Sequence, residues 1–364
     1  IKRRSKIKDV CVDKNISLEK LYEIENGICY ICGNKCDYND KIENKIKTIA
    51  RESANATGYD EISLTSLSSG DYPNIEELMN RLCCEFKDEH MDISLPSLRI
   101  DSFNPDLVST QMRKSSLTFA PEAGSQRMRN IINKNVSEED LLRTVRGAFN
   151  AGYRAIKLYF MIGLPFETMD DIKGIYELAK KCSEVYREIH GNTKNMRITV
   201  STSVFIPKPF TPFQWINQDS EESVKEKQRY LSDLIRTLKG VEYKYHDSTA
   251  SKLEVACARG GREMCDVLYS AWKNGAKMDA WNEHFDINAW EKAFAENGLS
   301  MEEMAAREYL VDEVLPWDTI DVGVSKAYYK KELEKAKNEQ VTADCRKGCT
   351  GCGMMAYCKK EAGK

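Results

Sequence analysis

The sequence predicts an α/β fold, with a parallel sheet and helices packed outside it, built as an open sheet or as part of a (β/α) TIM-type barrel. Three observations carry this. Five strand-like runs recur near residues 61, 92, 117, 155 and 197, each but the last followed at once by a helical stretch. Between Leu117 and Thr168 one pattern of strand, polar loop and helix occurs twice, as LTFAPEAGSQR and again as IKLYFMIGLPFET. Neither GxGxxG after a first strand nor GxxxxGK with Ser or Thr is present, so dinucleotide and P-loop readings lose their main support.

Composition bounds the class of protein. With 364 residues and 41% hydrophobic content the chain can bury one large or two ordinary cores. A net charge of −3 argues against a general binder of DNA or of membrane surfaces. No apolar run reaches the roughly 20 residues of a spanning helix and no signal peptide is visible, so the expected location is cytoplasmic and without membrane contact. Thirteen cysteines are too sparse for a disulfide scaffold, but seven fall in two clusters, Cys29, Cys32, Cys36 and Cys345, Cys349, Cys352, Cys358. Clustering points to metal rather than to bridges. The chain starts at Ile1 without a methionine and is expected to be part of something longer.

In chain order, residues 1–40 stand apart: basic IKRRSKIK, a helical ISLEKLYEIENG, then CYICGNKC with its CxxC knuckle. A charged helix over 41–59 leads to the strand EISLTSLS and the loop Ser68, Ser69, Gly70, Asp71. Ile75 to Phe86 reads as a helix, MDISLPSLRI as a strand, and Asn104 caps a helix with Pro105 at its first position. Within the repeated unit, Val136 to Gly152 is a helix opened by a capping box at Ser137 and Asp140. Met169 to His190 follows as a longer helix with one apolar stripe, capped by Thr168 and Asp171. RITVSTSVFIP is the last clear strand, running through KPFTPFQW to a helix at Ser220 to Leu238. After Val241 the pattern turns to short helices over 258–299, a capping box at Ser300 and Glu303, the turn-rich LPWDTIDVGVSK, and a charged helix at Lys326 to Lys337. The expected division is 1–40, a barrel-like 41–240, a small mostly helical extension 241–340, and a cysteine tail 341–364.

The strand ends SLTSLSSGDY, SLPSLRIDSF, LTFAPEAGSQRMRNIINK, KLYFMIGLPFET and VFIPKPFTPFQW resemble those of a radical S-adenosylmethionine (SAM) enzyme. Together with EHFD, PWDTIDVGVSK and the cysteine tail they resemble the cobalamin-binding radical SAM subfamily, over about residues 45–352. The resemblance implies a partial (β/α) barrel that binds SAM and a [4Fe-4S] cluster and generates a deoxyadenosyl radical. It further implies an electron donor, a substrate that is a small molecule or RNA-type, and cobalamin held by a domain not in this chain. The loop Ser68, Ser69, Gly70 and Asp71 would receive the amino-acid end of the cofactor. Glu122, Gly124 and Ser125 would meet its ribose and methionyl parts, and Gly163 and Pro165 would lie against adenine. Each also has an architectural reading: Gly124 and Gly163 as turns of the chain, and Glu122 as a helix cap. Arg127, Arg129, Lys157 and Lys208 are candidates for meeting an anionic substrate, with solvated surface charge as the plainer explanation.

The family's cluster loop, CxxxCxxC after the first strand, has no counterpart before Lys41, so the expectation is a core without its first strand and cluster loop. Cys29, Cys32 and Cys36 carry the reversed spacing CxxCxxxC and read as a zinc knuckle or a displaced cluster. Residues 1–40 resemble the front of an HNH-type endonuclease, through LEKLYE and CYICG, but lack the nuclease's histidine element. Cys345, Cys349, Cys352 and Cys358 resemble the family's terminal motif and suit an auxiliary cluster or zinc. Two alternatives stand beside the enzyme: a barrel that binds SAM or metal without radical chemistry, and a nuclease fragment.

Overall fold

The computed structural model describes residues 38–64, 72, 74–89, 91–95, 99–100, 114, 116–245, 248–281 and 283–354. The expectations at Ser68 to Asp71, Asn104, Pro105, Cys29, Cys32, Cys36 and Cys358 lie outside these. The described residues form two compact units, one ending at Leu95 and the other running from Arg99 onward.

The first unit opens with α1 (Tyr38–Thr57), which lacks Gly and Pro and ends at Gly58, where φ is +71° and the amide returns to Ala54 O. Strands β1 (Glu61–Ser63) and β2 (Asp92–Ser94) pair in parallel, with Ile62 opposite Ile93, and α2 (Ile75–Glu85) connects them. Among the described residues the ladder runs over three pairs, Glu61 to Ser63 against Asp92 to Ser94. On the helix pair, the Arg51 guanidinium bonds Glu85 and lies 4.3 Å from the Phe86 ring centre.

The second unit is built on a four-stranded parallel sheet whose spatial order is its chain order: β3 (Leu117–Glu122), β4 (Ala155–Ile162), β5 (Arg197–Val204) and β6 (Val241–Tyr245). Parallel neighbours require crossovers, and helices supply each one. They are α3 (Gln126–Ile131) with α4 (Glu138–Asn150), then α5 (Met169–His190), then α6 (Glu221–Ile235). The helix-facing side is apolar: Leu117, Phe119, Ile156, Leu158, Phe160, Ile162, Ile198 and Val200 are all buried. On the opposite side Thr118, Lys157 and Thr199 align in one row, and Tyr159 stands beside Ser201 in the next. This is the α/β arrangement that the alternation predicts, with no closed barrel among the described residues.

Caps set the helix boundaries. Ser137 and Asp140 form both arms of the predicted capping box, and Asp171 Oδ2 accepts from the amide and hydroxyl of Thr168, each at 2.8 Å. The Ser300 box is only half made, because Ser300 accepts from the Glu303 amide while no bond returns. Strand β6 was not legible in the sequence. Its half-exposed VEYKY has two tyrosines and two charges in place of an apolar run.

The C-terminal extension has two parts. Helices α7 (Ser248–Arg259), α8 (Met264–Lys273), α9 (Ile287–Glu296) and α10 (Met301–Ala306) enclose their own core around Val267, Ala293 and Phe294. Residues 309–336, ending in α11 (Lys326–Lys337), instead join one core with Ala123, Leu164, Phe205 and Trp215, which follow β3, β4 and β5. Gln214 links the parts: its side-chain oxygen accepts from Trp317 Nε1 at 2.7 Å, and its carbonyl accepts from Arg259. No helix among the described residues is long and apolar enough to cross a membrane.

Candidate functional site

Ligands of parallel-sheet proteins gather beyond the carboxyl ends of the strands. Five of the predicted cofactor residues sit there, on the adjacent ends of β3 and β4. β3 is irregular between Phe119 and Glu122, and this bulge leaves Glu122 opposite Phe160 with φ at +69°. A left-handed, non-glycine residue at a bulge costs conformational energy and re-aims a side chain. The Glu122 carboxylate is part-exposed, and one of its oxygens lies 3.4 Å from Lys134 Nζ.

The other four residues are committed to the walls. Gly124 meets α5 backbone to backbone: a Cβ there would lie 2.3 Å from Asp171 O and 2.4 Å from Ile175 N, with Gly174 facing it. Ser125 caps α3 by accepting from the Met128 amide, and its hydroxyl donates to Asp171 Oδ1. Gly163, at φ +74°, donates its amide to Glu167 Oε2 at 2.7 Å, and Pro165 is buried. Glycine is therefore required at 124 and 163 by packing and by backbone conformation. Of the five, Glu122 retains a carboxylate oxygen for a ligand hydroxyl.

Two polar clusters hold these loops, and of them the sequence disclosed only the Thr168–Asp171 cap. Asp171, buried at the start of α5, receives Thr168, Ser125 and Arg127, and Arg127 also donates to Phe166 O and Glu339. Burial alone would raise the Asp171 pKa, but these donors outweigh it and hold the carboxyl below its usual range. The second cluster is Lys227, 2.9 Å from Glu167 and 2.7 Å from Asp219. Burial pushes the Glu167 carboxyl up, against the pull of Lys227 and the Gly163 amide. Burial also opposes the charge of Lys227, yet its two carboxylates hold its pKa above the ordinary lysine value. Only spatial proximity brings 167, 219 and 227 together, so spacing along the chain gave no sign of them.

The basic candidates separate. Lys157 is exposed on β4, and Lys208 pairs with Glu254 at 2.5 Å. Arg127 is bound as described. Arg129 fits neither reading made of it, since it is only 1% exposed and its guanidinium donates to the carbonyls of Ala123 and Gly124. Beside these loops, a half-open cleft of about 740 Å³ lies at the carboxyl ends of β4, β5 and β6, walled by Met161, Ser203, Phe205 and Tyr245.

The cysteine tail bonds to the extension through Ser325 N and Cys352 O, at 2.8 Å. Cys345 and Cys349 are exposed and Cys352 is half-buried. Among the described residues no three His, Cys, Asp or Glu side chains gather as metal ligands, and Cys358, the fourth member of the tail's cysteine group, lies outside them.

Residues 22–179 match the family model of the radical SAM superfamily, and a radical SAM domain is therefore present in this chain. An uncharacterized protein of Methanocaldococcus jannaschii is 32% identical over 253 residues, covering 67% of this chain and 53% of that relative. The chain thus spans about half the length of the curated relative it matches. The family match takes in Glu122, Gly124, Ser125, Gly163 and Pro165. It begins within the stretch set apart as nuclease-like and includes Cys29, Cys32 and Cys36.

Proposed function

We propose that this chain is the core of a radical SAM enzyme, binding SAM across the carboxyl ends of β3 and β4. The observation that carries the reading is Glu122, held at a left-handed bulge with its carboxylate part-exposed, inside the matched domain and next to the glycine-walled end of β4. In this reading the carboxylate accepts from the ribose hydroxyls, while Gly163 and Pro165 present a backbone surface to adenine. Asp171 and Lys227 keep the two loops in place. A bound cofactor of this kind supplies a 5′-deoxyadenosyl radical when an iron–sulfur cluster reduces it.

Cys29, Cys32 and Cys36 are proposed to carry that cluster, because they alone of the two cysteine groups fall within the matched domain. The terminal group would then hold an auxiliary cluster or zinc, with Cys358 as a fourth ligand. Membership of the cobalamin-binding subfamily rests on EHFD, PWDTIDVGVSK and the cysteine tail. The second reading is a barrel that binds SAM without radical chemistry, favoured by the reversed CxxCxxxC spacing.

Calorimetry with SAM tests the pocket. E122Q is expected to weaken binding about tenfold, through loss of charge-assisted hydrogen bonds. Unchanged affinity would remove Glu122 from the site. Anaerobic reconstitution with iron and sulfide, followed by electron paramagnetic resonance and assay of 5′-deoxyadenosine, separates the two readings. SAM binding without a cluster signal or deoxyadenosine would establish the inactive barrel. A C29A/C32A/C36A variant should lose the signal of the SAM-binding cluster.

A further inference from the structure

We propose that the cleft beyond β4, β5 and β6 is a binding site for an organic cation, a primary ammonium or guanidinium carried on an apolar body. This deepens the enzyme reading, on which it rests for naming the occupant as substrate; the binding itself does not depend on that reading. Size and position come first. At about 740 Å³ the cleft falls in the range of small-molecule sites, and it lies at the functional end of the sheet. Met161 in its wall stands two residues before Gly163.

The chemistry of the wall selects the ligand. Met161, Phe205, Ile206 and Phe285 supply an apolar surface. Lys208 and Glu254 also line the cleft, but their ion pair leaves no net charge between them. Asp279 is different. It lines the same cleft, and its Oδ1 is buried with no hydrogen-bond partner. A buried carboxylate oxygen left without a donor is expensive and is ordinarily matched by a charged or hydrogen-bonding group. The residue just before it, Met278, is strongly exposed and held at φ +58°. That conformation is unfavourable for a methionine, and such strain concentrates at ligand sites.

A metal ion is the poorer occupant. Glu254 is already paired, and among the described residues no group of three ligating side chains forms. The half-buried Asp279, with one oxygen unpartnered beside Met161, Phe205, Ile206 and Phe285 in a wall that also carries Ser203 and Tyr245, instead matches one ammonium or guanidinium head with an apolar body behind it.

The test uses the whole chain with pentylammonium as probe and pentanol as its neutral isostere, followed by saturation-transfer NMR. Pentylammonium should bind at least about tenfold more tightly than pentanol, and D279N should remove that preference while leaving pentanol unaffected. Equal binding of the two probes to the wild-type chain, or a D279N variant that keeps the preference, overturns the proposal. The isostere comparison decides the matter even if D279N does not fold, which its thermal melt will show. SAM affinity is measured alongside. Loss of cofactor binding with the amine preference intact sinks the cofactor reading alone, and the converse sinks only this one.

Discussion

Replacing Gly124 by alanine should be among the most disruptive single-atom-scale changes the second unit can receive. The added Cβ would sit 2.3 Å from Asp171 O and 2.4 Å from Ile175 N, where real Cβ contacts do not fall below 3.0 Å. Both obstructing atoms belong to the backbone of α5, so no side chain can swing away. The first turn of α5 has to retreat, and it carries Asp171 with its bonds to Thr168 and Ser125. Overpacking of this kind costs about 1–3 kcal/mol, and a strained or lost charge-assisted bond adds about 1.5–3. We therefore expect G124A to lose about 3–5 kcal/mol, a large part of the roughly 5–15 kcal/mol that holds a domain together. Urea unfolding followed by circular dichroism gives the number. G152A is the control: its φ is +92°, but a Cβ there meets nothing within 4 Å, so only backbone strain of about 1 kcal/mol applies. G124A no more destabilised than G152A, at equal slope, would refute the backbone contact and leave Gly124 explained by ligand approach alone.

Three further outcomes follow from the polar clusters and the core. K227M should destabilise by about 3–5 kcal/mol because it strands the buried Glu167 carboxylate, and E167Q/K227M should recover much of that in the same urea assay. D171N should lose about 3 kcal/mol at neutral pH. Because the folded-state pKa of Asp171 is depressed, its contribution is present above the unfolded value of about 3.9 and fades as pH falls through the lower folded value. The gap between wild type and D171N should accordingly narrow in acid, and a gap that is constant to pH 2 would contradict the assignment. Cys182 lies fully buried on α5 with its thiol pushed up to about 12, so iodoacetamide should label it only after unfolding, while the exposed Cys84 and Cys265 react in the native state by mass spectrometry.

What the sequence disclosed depended on whether the physics was local. Capping at Ser137 and Thr168 acts over three residues, and Met169 to His190 appears with the bounds that its stripe and caps predict. The strand IKLYFMI was visible because it is apolar at every position but Lys157 and its buried side chains alternate along it. Strand β6 escaped because its polar, half-exposed residues resemble a loop. At the site, small residues at strand ends were legible as places of close approach. What they approach was not: Gly124 meets a helix 50 residues further on, and Arg129, read as a solvated or substrate-facing cation, is enclosed by the loop it supports. The partners of Glu167 come from the next crossover, and no spacing rule joins them.

The sheet of the second unit keeps chain order and spatial order the same, and this bears on how the unit assembles. Each new strand with its crossover helix docks on the one made just before it, so contacts stay short in sequence and loop-closure entropy stays low for a parallel sheet. Growth from the amino-terminal side can then proceed strand by strand during synthesis, without waiting for a distant segment to return. The exception is the last stretch, residues 309–336, which folds back over the ends of β3 to β5 to complete their core. The loops proposed to hold the cofactor thus lack part of their core until residues 309–336 have been made.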